Sequence, residues 1–175
     1  KAMIDLYVQE RCNNGFLKGF ITRAFSHTGT RRGKNFSISC DAFNLASMKR
    51  DSSNPKKLGV GNLETERIVI DVRDCVQAYY GVMQRFNDSI NGQAFNVCGA
   101  QENVKKMGYF TDKLIEISGL SGIVKTIDPR FYRPIDIQVQ VGDTIRLNEL
   151  TGWAPKIPID ETLKGLFEYW DNKID

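Results

Sequence analysis

Apolar and polar positions alternate along the chain with two different periods, which predict helices and strands in turn. A helix is indicated at "AMIDLYVQER", ending near "NNG", and a buried strand follows within "FLKGFITRAF". A second helix is indicated at "FSISCDAFNLASMKR". The polar stretch 51–57 then predicts a turn before a short strand around "LGVGN".

The middle of the chain predicts a β-branched strand that runs directly into a helix, within "IVIDVRDCVQAYYGVMQRF". Several apolar side chains of this helix follow the i, i+3, i+4 spacing of one helical face. We therefore expect the following residues to pack inward: Val72, Cys75, Val76, Tyr79 and Met83.

The second half repeats this alternation. A strand is indicated at "QAFNVCG", then a helix at "MGYFTDKLIEISGL" that Gly119 stops, then a strand at "GIVKTID". The last helix contains "ETLKGLFEYW" and places four large apolar side chains on one face: Leu163, Leu166, Phe167 and Trp170. Helices and strands that alternate throughout predict an α/β protein with mostly parallel strands.

Composition narrows the class of protein. A chain of 175 residues, 41% hydrophobic, is long enough for one globular unit with a substantial core. Its 24 basic and 21 acidic residues are scattered, which argues against nucleic-acid binding. No apolar run approaches the ~18 residues of a membrane span, and the first twenty residues have no signal-peptide core.

The cysteines are widely separated and form no CxxC pair, at Cys12, Cys40, Cys75 and Cys98. This spacing favours neither a zinc site nor a disulfide framework, and we expect no bound metal. A reducing cytoplasm is the compartment that fits best.

The loop "RAFSHTGTRRG", residues 23–33, contains the only histidine and two adjacent arginines. It is either a solvated turn or a site for an anion, because guanidinium N–H groups match phosphate geometry. Arg67 and Arg133 lie in two other predicted loops. A diphosphate is commonly held by arginines from separate loops, so we expect these two to converge on one cleft.

Together these segments resemble the extended short-chain dehydrogenase/reductase family of nucleotide-sugar enzymes, and within it the GDP-mannose 4,6-dehydratases, over the whole chain. In that family the lysine of a Tyr-x-x-x-Lys motif precedes by twenty-six residues the histidine of a loop similar to "FNHxxPRRG". Lys1 and His27 have that spacing. The segments "GNLETER" and "RPIDI…GD…LTGWAP" resemble two further motifs of the family.

The resemblance implies an α/β fold that is the C-terminal part of such an enzyme: the end of the Rossmann sheet and the smaller substrate-binding α/β domain. Residues 1–34 would be the tail of the Rossmann portion, and residues 35–175 mainly the nucleotide-sugar-binding domain. The chain opens on Lys1 without an initiator methionine. We therefore expect the dinucleotide-binding half, with a tyrosine four residues before Lys1, to lie upstream.

Carried over by motif, Lys1 is the implied catalytic lysine, and it would contact NADP or NAD together with His27 and Arg32. The positions implied to bind a nucleotide sugar, GDP-mannose by expectation, are Ser26, Ser37, Arg67, Arg133 and Asp136. Four residues depart from the family pattern: Ser26, Thr30, Ile68 and Asp136. These departures bear on which sugar nucleotide is bound.

The resemblance implies an NAD(P)-dependent nucleotide-sugar dehydratase, and this chain would be its substrate-binding half, inactive alone. A reductase or epimerase acting on a 4-keto-6-deoxy sugar nucleotide stays open, because "HTGxRRG" and "DVRDxVxAYY" also resemble the reductases. A non-catalytic sugar-nucleotide binding fragment is the alternative of another class. We expect a cytoplasmic homo-oligomer at full length, without nucleic-acid or membrane partners.

Overall fold

The computed structural model describes residues 1–51, 53, 56–133 and 135–174. The helices are α1 (Ala2–Asn13), α2 (Ser37–Arg50), α3 (Val72–Gln84), α4 (Met107–Ser118), α5 (Ile145–Thr151) and α6 (Ile159–Asp171). The strands are β1 (Ile21–Ala24), β2 (His27–Thr28), β3 (Lys57–Val60), β4 (Glu66–Arg67), β5 (Ile70–Asp71), β6 (Ala94–Val97), β7 (Lys105–Lys106), β8 (Val124–Ile127) and β9 (Val139–Gln140).

Parallel pairing dominates, which confirms the predicted α/β class. In the described parts of the chain, β1 pairs with β6, β2 with β5, β3 with β8 and β4 with β9, all parallel. The β4–β7 pair is antiparallel. The predicted turn at 51–57 falls partly on residues 52, 54 and 55, which lie outside the described residues.

One hydrophobic core lies between α2, α4, α6 and β3, and the predicted apolar face of α6 is part of it. Its fully buried side chains include Leu45, Leu58, Phe110, Leu114, Leu163 and Leu166. Trp170 packs at the edge of this core, where its Nε1–H donates to Ser39 Oγ at 2.9 Å. Helix α4 ends where predicted, because Gly119 takes the left-handed conformation at φ 70°.

A second core lies between the β1–β6 pair and helices α3 and α5. It contains Ile68, Ile70, Cys75, Ala78, Val82, Ile90, Phe95, Val97 and Leu147. Side chains from positions 68 to 147 therefore pack together with the β1–β6 pair in this second core. The predicted division at residue 34 stays a prediction.

The predicted inward face of α3 is wrong at two positions, since Val76 is 53% exposed and Met83 is 58% exposed. Cys75 is buried as predicted, and the other buried apolar side chains of the helix are Ala78 and Val82. A polar contact also fixes one side of this helix. The buried Asp74 carboxylate accepts the backbone N–H groups of residues 156 and 157 at 3.0 and 2.9 Å, which connects the start of the helix to the segment before α6.

No helix in the described residues is long and apolar enough to cross a membrane.

Asp41 carries a carboxyl group into the first core, between α2 and α4. Its Oδ2 accepts from the Thr111 hydroxyl at 2.7 Å, and both residues are buried. Desolvation raises the pKa of Asp41 to about 7, against a smaller opposing effect of that hydrogen bond. The neutral acid is therefore the form that the fold favours.

A pH dependence of stability follows from Asp41. Because its pKa in the folded chain lies above the unfolded value, its favourable contribution is complete below about pH 4 and is lost as the pH rises to about 7. We expect the stability of the wild type relative to Asp41→Asn to fall over this window, by up to about 1.4 kcal/mol for each pH unit, because the other titrating groups are shared by the two proteins. Urea unfolding of the wild type and Asp41→Asn between these pH values measures it. Parallel pH curves for the two proteins would contradict this assignment.

Candidate functional site

The loop between β1 and α2 folds tightly against the start of α3. Strand β2 pairs with β5, which leads directly into Val72. Gly29 has φ 152°, and a β-carbon there would lie 2.9 Å from Val72 Cγ1. The Arg32 N–H closes a turn on the Gly29 carbonyl at 3.1 Å, and Arg31 adopts φ 71°. The glycine is thus required by both the conformation and the close approach.

This loop encloses a cavity of about 190 Å³. Its lining is formed by His27, Thr28, Gly29, Thr30, Arg31, Arg32 and Val72. The predicted residues His27 and Arg32 are therefore brought together at one cavity. A larger cavity of about 630 Å³ adjoins it, shares Thr30, Arg31 and Val72, and continues between the starts of α3 and α6.

His27 and Arg32 are each held by neighbouring groups. His27 Nδ1 lies 3.0 Å from the Phe25 carbonyl, which orients the ring and leaves Nε2 for another contact. The Arg32 guanidinium stacks 3.4 Å above the Phe36 ring centroid. Partial burial lowers the pKa of Arg32, but a guanidinium remains protonated, so this is a fixed positive charge.

Lys1 lies at the same end of β1 as this loop. Helix α1 runs antiparallel to β1, because Cys12 Sγ contacts the Gly19 carbonyl at 3.8 Å while Arg23 Nε donates to Asp5 at 2.7 Å. Lys1 precedes Asp5 by one helical turn, toward the carboxyl end of β1. That is where the segment containing His27 begins.

Arg67 and Asp136 form an ion pair at a second position, on the three-stranded β7–β4–β9 sheet. Arg67 Nη2 donates to Asp136 Oδ1 at 3.2 Å, and the two side chains are only 13% and 21% exposed. Arg67 Nη1 also donates to the Glu66 carbonyl at 2.8 Å and contacts the Gln138 carbonyl at 3.5 Å. The guanidinium is therefore fixed to the sheet.

Gln140 joins these two regions. Ser26 Oγ donates to Gln140 Oε1 at 3.3 Å, and Gln140 is the register partner of Arg67 in the parallel β4–β9 pair. The structure thus brings Ser26, which precedes His27, against strand β9, whose neighbour β4 contains Arg67. Gly142, two residues after Gln140, allows the chain to pass close to Phe25, since a β-carbon there would lie 2.5 Å from the Phe25 ring.

The remaining predicted site residues are exposed. Ser37 is the first residue of α2, at a helix start where the chain supplies no side-chain cap. Arg133 lies in the loop between β8 and β9, three residues before Asp136. Its predicted convergence with Arg67 stays a prediction. Pro134, in the same motif, lies outside the described residues.

Sequence reasoning missed Gln140 and assigned no packing role to Gly142. Gln140 lies 114 positions from Ser26, so no local periodicity indicates their hydrogen bond. Gly142 stands in the "GD" of a recognised motif, and a glycine at the end of a strand is a signal of close backbone approach. The four cysteines are free, and no cluster of potential metal ligands occurs in the described ranges.

Thr28 has a buried hydroxyl without a hydrogen-bond partner in the described structure. An unsatisfied buried polar group lowers stability, and its removal from an unchanged shape is favourable. We expect Thr28→Val to raise the free energy of unfolding by about 1 kcal/mol. Thermal unfolding checks this, with Thr22→Val on the half-buried strand β1 as the control. A loss of stability would show that the hydroxyl is satisfied.

Comparison with known proteins places this arrangement in a family. The profile of the GDP-mannose 4,6 dehydratase family matches residues 1–166. The chain belongs to this family. It is 28% identical over 155 residues to a GDP-6-deoxy-D-mannose reductase of Pseudomonas aeruginosa, covering 88% of this chain and 48% of that protein. It is 25% identical over 162 residues to a GDP-mannose 4,6-dehydratase of Yersinia enterocolitica, covering 78% and 42%.

Solved structures agree on the fold. The structure of RMD from Pseudomonas aeruginosa complexed with NADPH aligns with a TM-score of 0.87 at 24% identity, over 99% of this chain and 55% of that one. The UDP-glucose 4-epimerase of Thermotoga maritima, solved with UDP-glucose, gives 0.81 at 20% identity, over 100% and 53%. The fold is therefore that of the extended short-chain dehydrogenases. The chain spans about half the length of the relatives it matches.

Proposed function

We propose that the chain is the substrate-side part of an NAD(P)-dependent nucleotide-sugar 4,6-dehydratase. The reaction would oxidise C4 of a nucleotide-linked hexose, eliminate water across C5 and C6, and reduce C6. The observation that carries this proposal is the Ser26–Gln140 hydrogen bond, which links the residue before His27 to the strand partner of Arg67. A cofactor region and a sugar-nucleotide region must be neighbours in such an enzyme, because hydride moves between them.

The residues that would hold the dinucleotide, NADP or NAD, are Lys1, His27 and Arg32. They fit an anionic cofactor, because stacking on Phe36 holds the positively charged Arg32 guanidinium in place and the Phe25 carbonyl orients the His27 ring. When bound, the nicotinamide supplies hydride acceptor and donor chemistry. The contribution of this chain is to orient that group and to hold positive charge beside it.

The nucleotide sugar, GDP-mannose in our proposal, would be held by Arg67 and Arg133 at its diphosphate. Arginine forks match phosphate oxygens in geometry and charge. Ser26 and Ser37 offer hydroxyl groups that suit hydroxyls of the sugar or ribose, and Asp136 lies beside Arg67, with which it forms an ion pair. In this proposal residues 1–34 complete a dinucleotide-binding domain and residues 35–175 mainly bind the sugar nucleotide. The full-length protein would be a cytoplasmic homo-oligomer.

A reductase of 4-keto-6-deoxy sugar nucleotides is the second candidate. The 28% identity to the Pseudomonas aeruginosa GDP-6-deoxy-D-mannose reductase favours it. The full-length protein distinguishes the two functions. A dehydratase consumes GDP-mannose without net oxidation of added cofactor, whereas a reductase consumes NADPH only when the 4-keto-6-deoxy sugar nucleotide is present.

Calorimetric titration of the 175-residue chain with GDP-mannose, and separately with NADP⁺, tests the proposal. Part of an enzyme should bind GDP-mannose weakly, in the high micromolar range, and show no turnover. Tight binding of GDP-mannose by the chain alone would favour a binding module instead. The absence of any heat for both ligands, in the chain and in the full-length protein, would overturn the proposal.

A further inference from the structure

Asp136 contacts Arg67 in a way that leaves part of each side chain unused. Asp136 Oδ1 accepts from Arg67 Nη2 at 3.2 Å and from the Ile137 N–H at 2.8 Å. Within the described part of the chain, Asp136 Oδ2 and Arg67 Nε–H have no hydrogen-bond partner. The paired atoms are therefore satisfied within the protein, whereas Asp136 Oδ2 and Arg67 Nε–H can still bind a ligand.

Arg67 is fixed by more than this ion pair. Its Nη1 donates to the Glu66 carbonyl at 2.8 Å, and the backbone N–H of Glu66 donates to the Gln138 carbonyl at 2.7 Å. One end of the guanidinium thus lies on β4 and the segment before β9. The Asp136 contact restrains the last side-chain torsions of Arg67, which limits the directions that its Nε edge can take.

We propose that Asp136 is a positioning residue, which orients Arg67 for an anionic group of the ligand. The inference rests on the proposed function and deepens it, because the family resemblance implied only that Asp136 itself contacts the nucleotide sugar. Ordering a long side chain before binding removes part of the entropic cost of binding. The negative charge of Asp136 acts in the opposite direction, since it partly neutralises Arg67.

These two effects separate in a pair of variants. Asp136→Asn retains an oxygen that can accept from Arg67 and from the Ile137 N–H, but it lacks the charge. We expect it to bind anions as well as the wild type or better. Asp136→Ala removes the acceptor, and we expect it to weaken binding by about three- to tenfold, the cost of ordering one side chain. A direct contact of the carboxylate with ligand hydroxyls predicts loss in both variants.

Two probes locate the effect. GDP-mannose contains ribose and a diphosphate, whereas inorganic pyrophosphate contains only the anionic group. If Asp136 acts through Arg67, Asp136→Ala weakens both probes by the same factor and has no further effect in an Arg67→Ala background. If only GDP-mannose binding falls, or if the two substitutions are additive, the inference is wrong.

A measurement on the unliganded chain completes the test. The ¹⁵Nε order parameter of Arg67 should be high in the wild type and in Asp136→Asn, and should fall in Asp136→Ala. Arg130, which is 81% exposed and paired with Asp128, provides a reference that should not change. Unaltered ordering of Arg67 in Asp136→Ala overturns the inference while the proposed function stands. If wild-type protein binds neither probe, the proposed function fails and the inference fails with it.

Discussion

Replacement of Gly29 by alanine is expected to lower the free energy of unfolding by about 2 kcal/mol or more and to abolish NADP⁺ binding at the His27–Arg32 cavity. At φ 152° an L-residue is strained, and the added β-carbon would lie 2.9 Å from Val72 Cγ1. Relief requires the loop to move away from α3, which displaces the cavity wall. Urea unfolding and calorimetric titration with NADP⁺ in the full-length protein measure both effects.

Gly33 in the same loop is the matched control for Gly29. A β-carbon at Gly33 meets no heavy atom within 4 Å, and its backbone does not require a positive φ. We expect Gly33→Ala to change stability by no more than about 0.5 kcal/mol and to leave NADP⁺ binding intact. Equal effects of the two substitutions would mean that the packing of Gly29 on Val72 does not shape the cavity.

Elements with a strong local signal were predicted from the sequence. Helix α6 presents Leu163, Leu166 and Phe167 at helical spacing, and all three are buried. Helix α4 ends at a glycine that takes the expected left-handed conformation. Such features depend on residues within one or two turns of each other, so the sequence contains the information.

Two positions on the face of α3, Val76 and Met83, were predicted incorrectly because apolar residues surround much of this helix. Which side is buried depends on contacts distant in sequence, such as the Asp74 carboxylate accepting from the backbone N–H groups of 156 and 157, more than eighty positions away. Helix α5 was missed for a related reason. It has only seven residues, and its one buried side chain, Leu147, provides no period from which to infer a face.

In the candidate site, too, individual residues were predicted from the sequence but the contacts between distant residues were not. The resemblance supplied Ser26, His27, Arg32 and Arg67, but not the contacts between them. Gln140 joins Ser26 to the strand beside Arg67, and this depends on the pairing of β4 with β9. The ion pair of Arg67 with Asp136 spans 69 positions. Opposite charges at that separation occur throughout the chain, so their pairing follows only from the fold.

Arg67→Ala and Arg133→Ala are each expected to raise the dissociation constant for GDP-mannose by about tenfold or more in the full-length protein. A charged hydrogen bond to a phosphate oxygen contributes about 1.5–3 kcal/mol, and each 1.4 kcal/mol is a factor of ten. Arg67 is 13% exposed and fixed by Asp136, so little ordering cost offsets that contribution. NADP⁺ affinity should barely change, because His27 and Arg32 are untouched.

Arg130→Ala is the control for both arginine substitutions, since Arg130 lies in the same loop as Arg133 and its side chain is 81% exposed beside Asp128. We expect it to alter GDP-mannose binding by no more than about 0.5 kcal/mol. Arg67→Ala also leaves the half-buried Asp136 carboxylate unpaired, so folding must be verified at the assay temperature, by circular dichroism for example. Unchanged affinity in both variants would show that Arg67 and Arg133 are structural or solvated charges. The loop of residues 23–33 would then be the anion-binding candidate that stands.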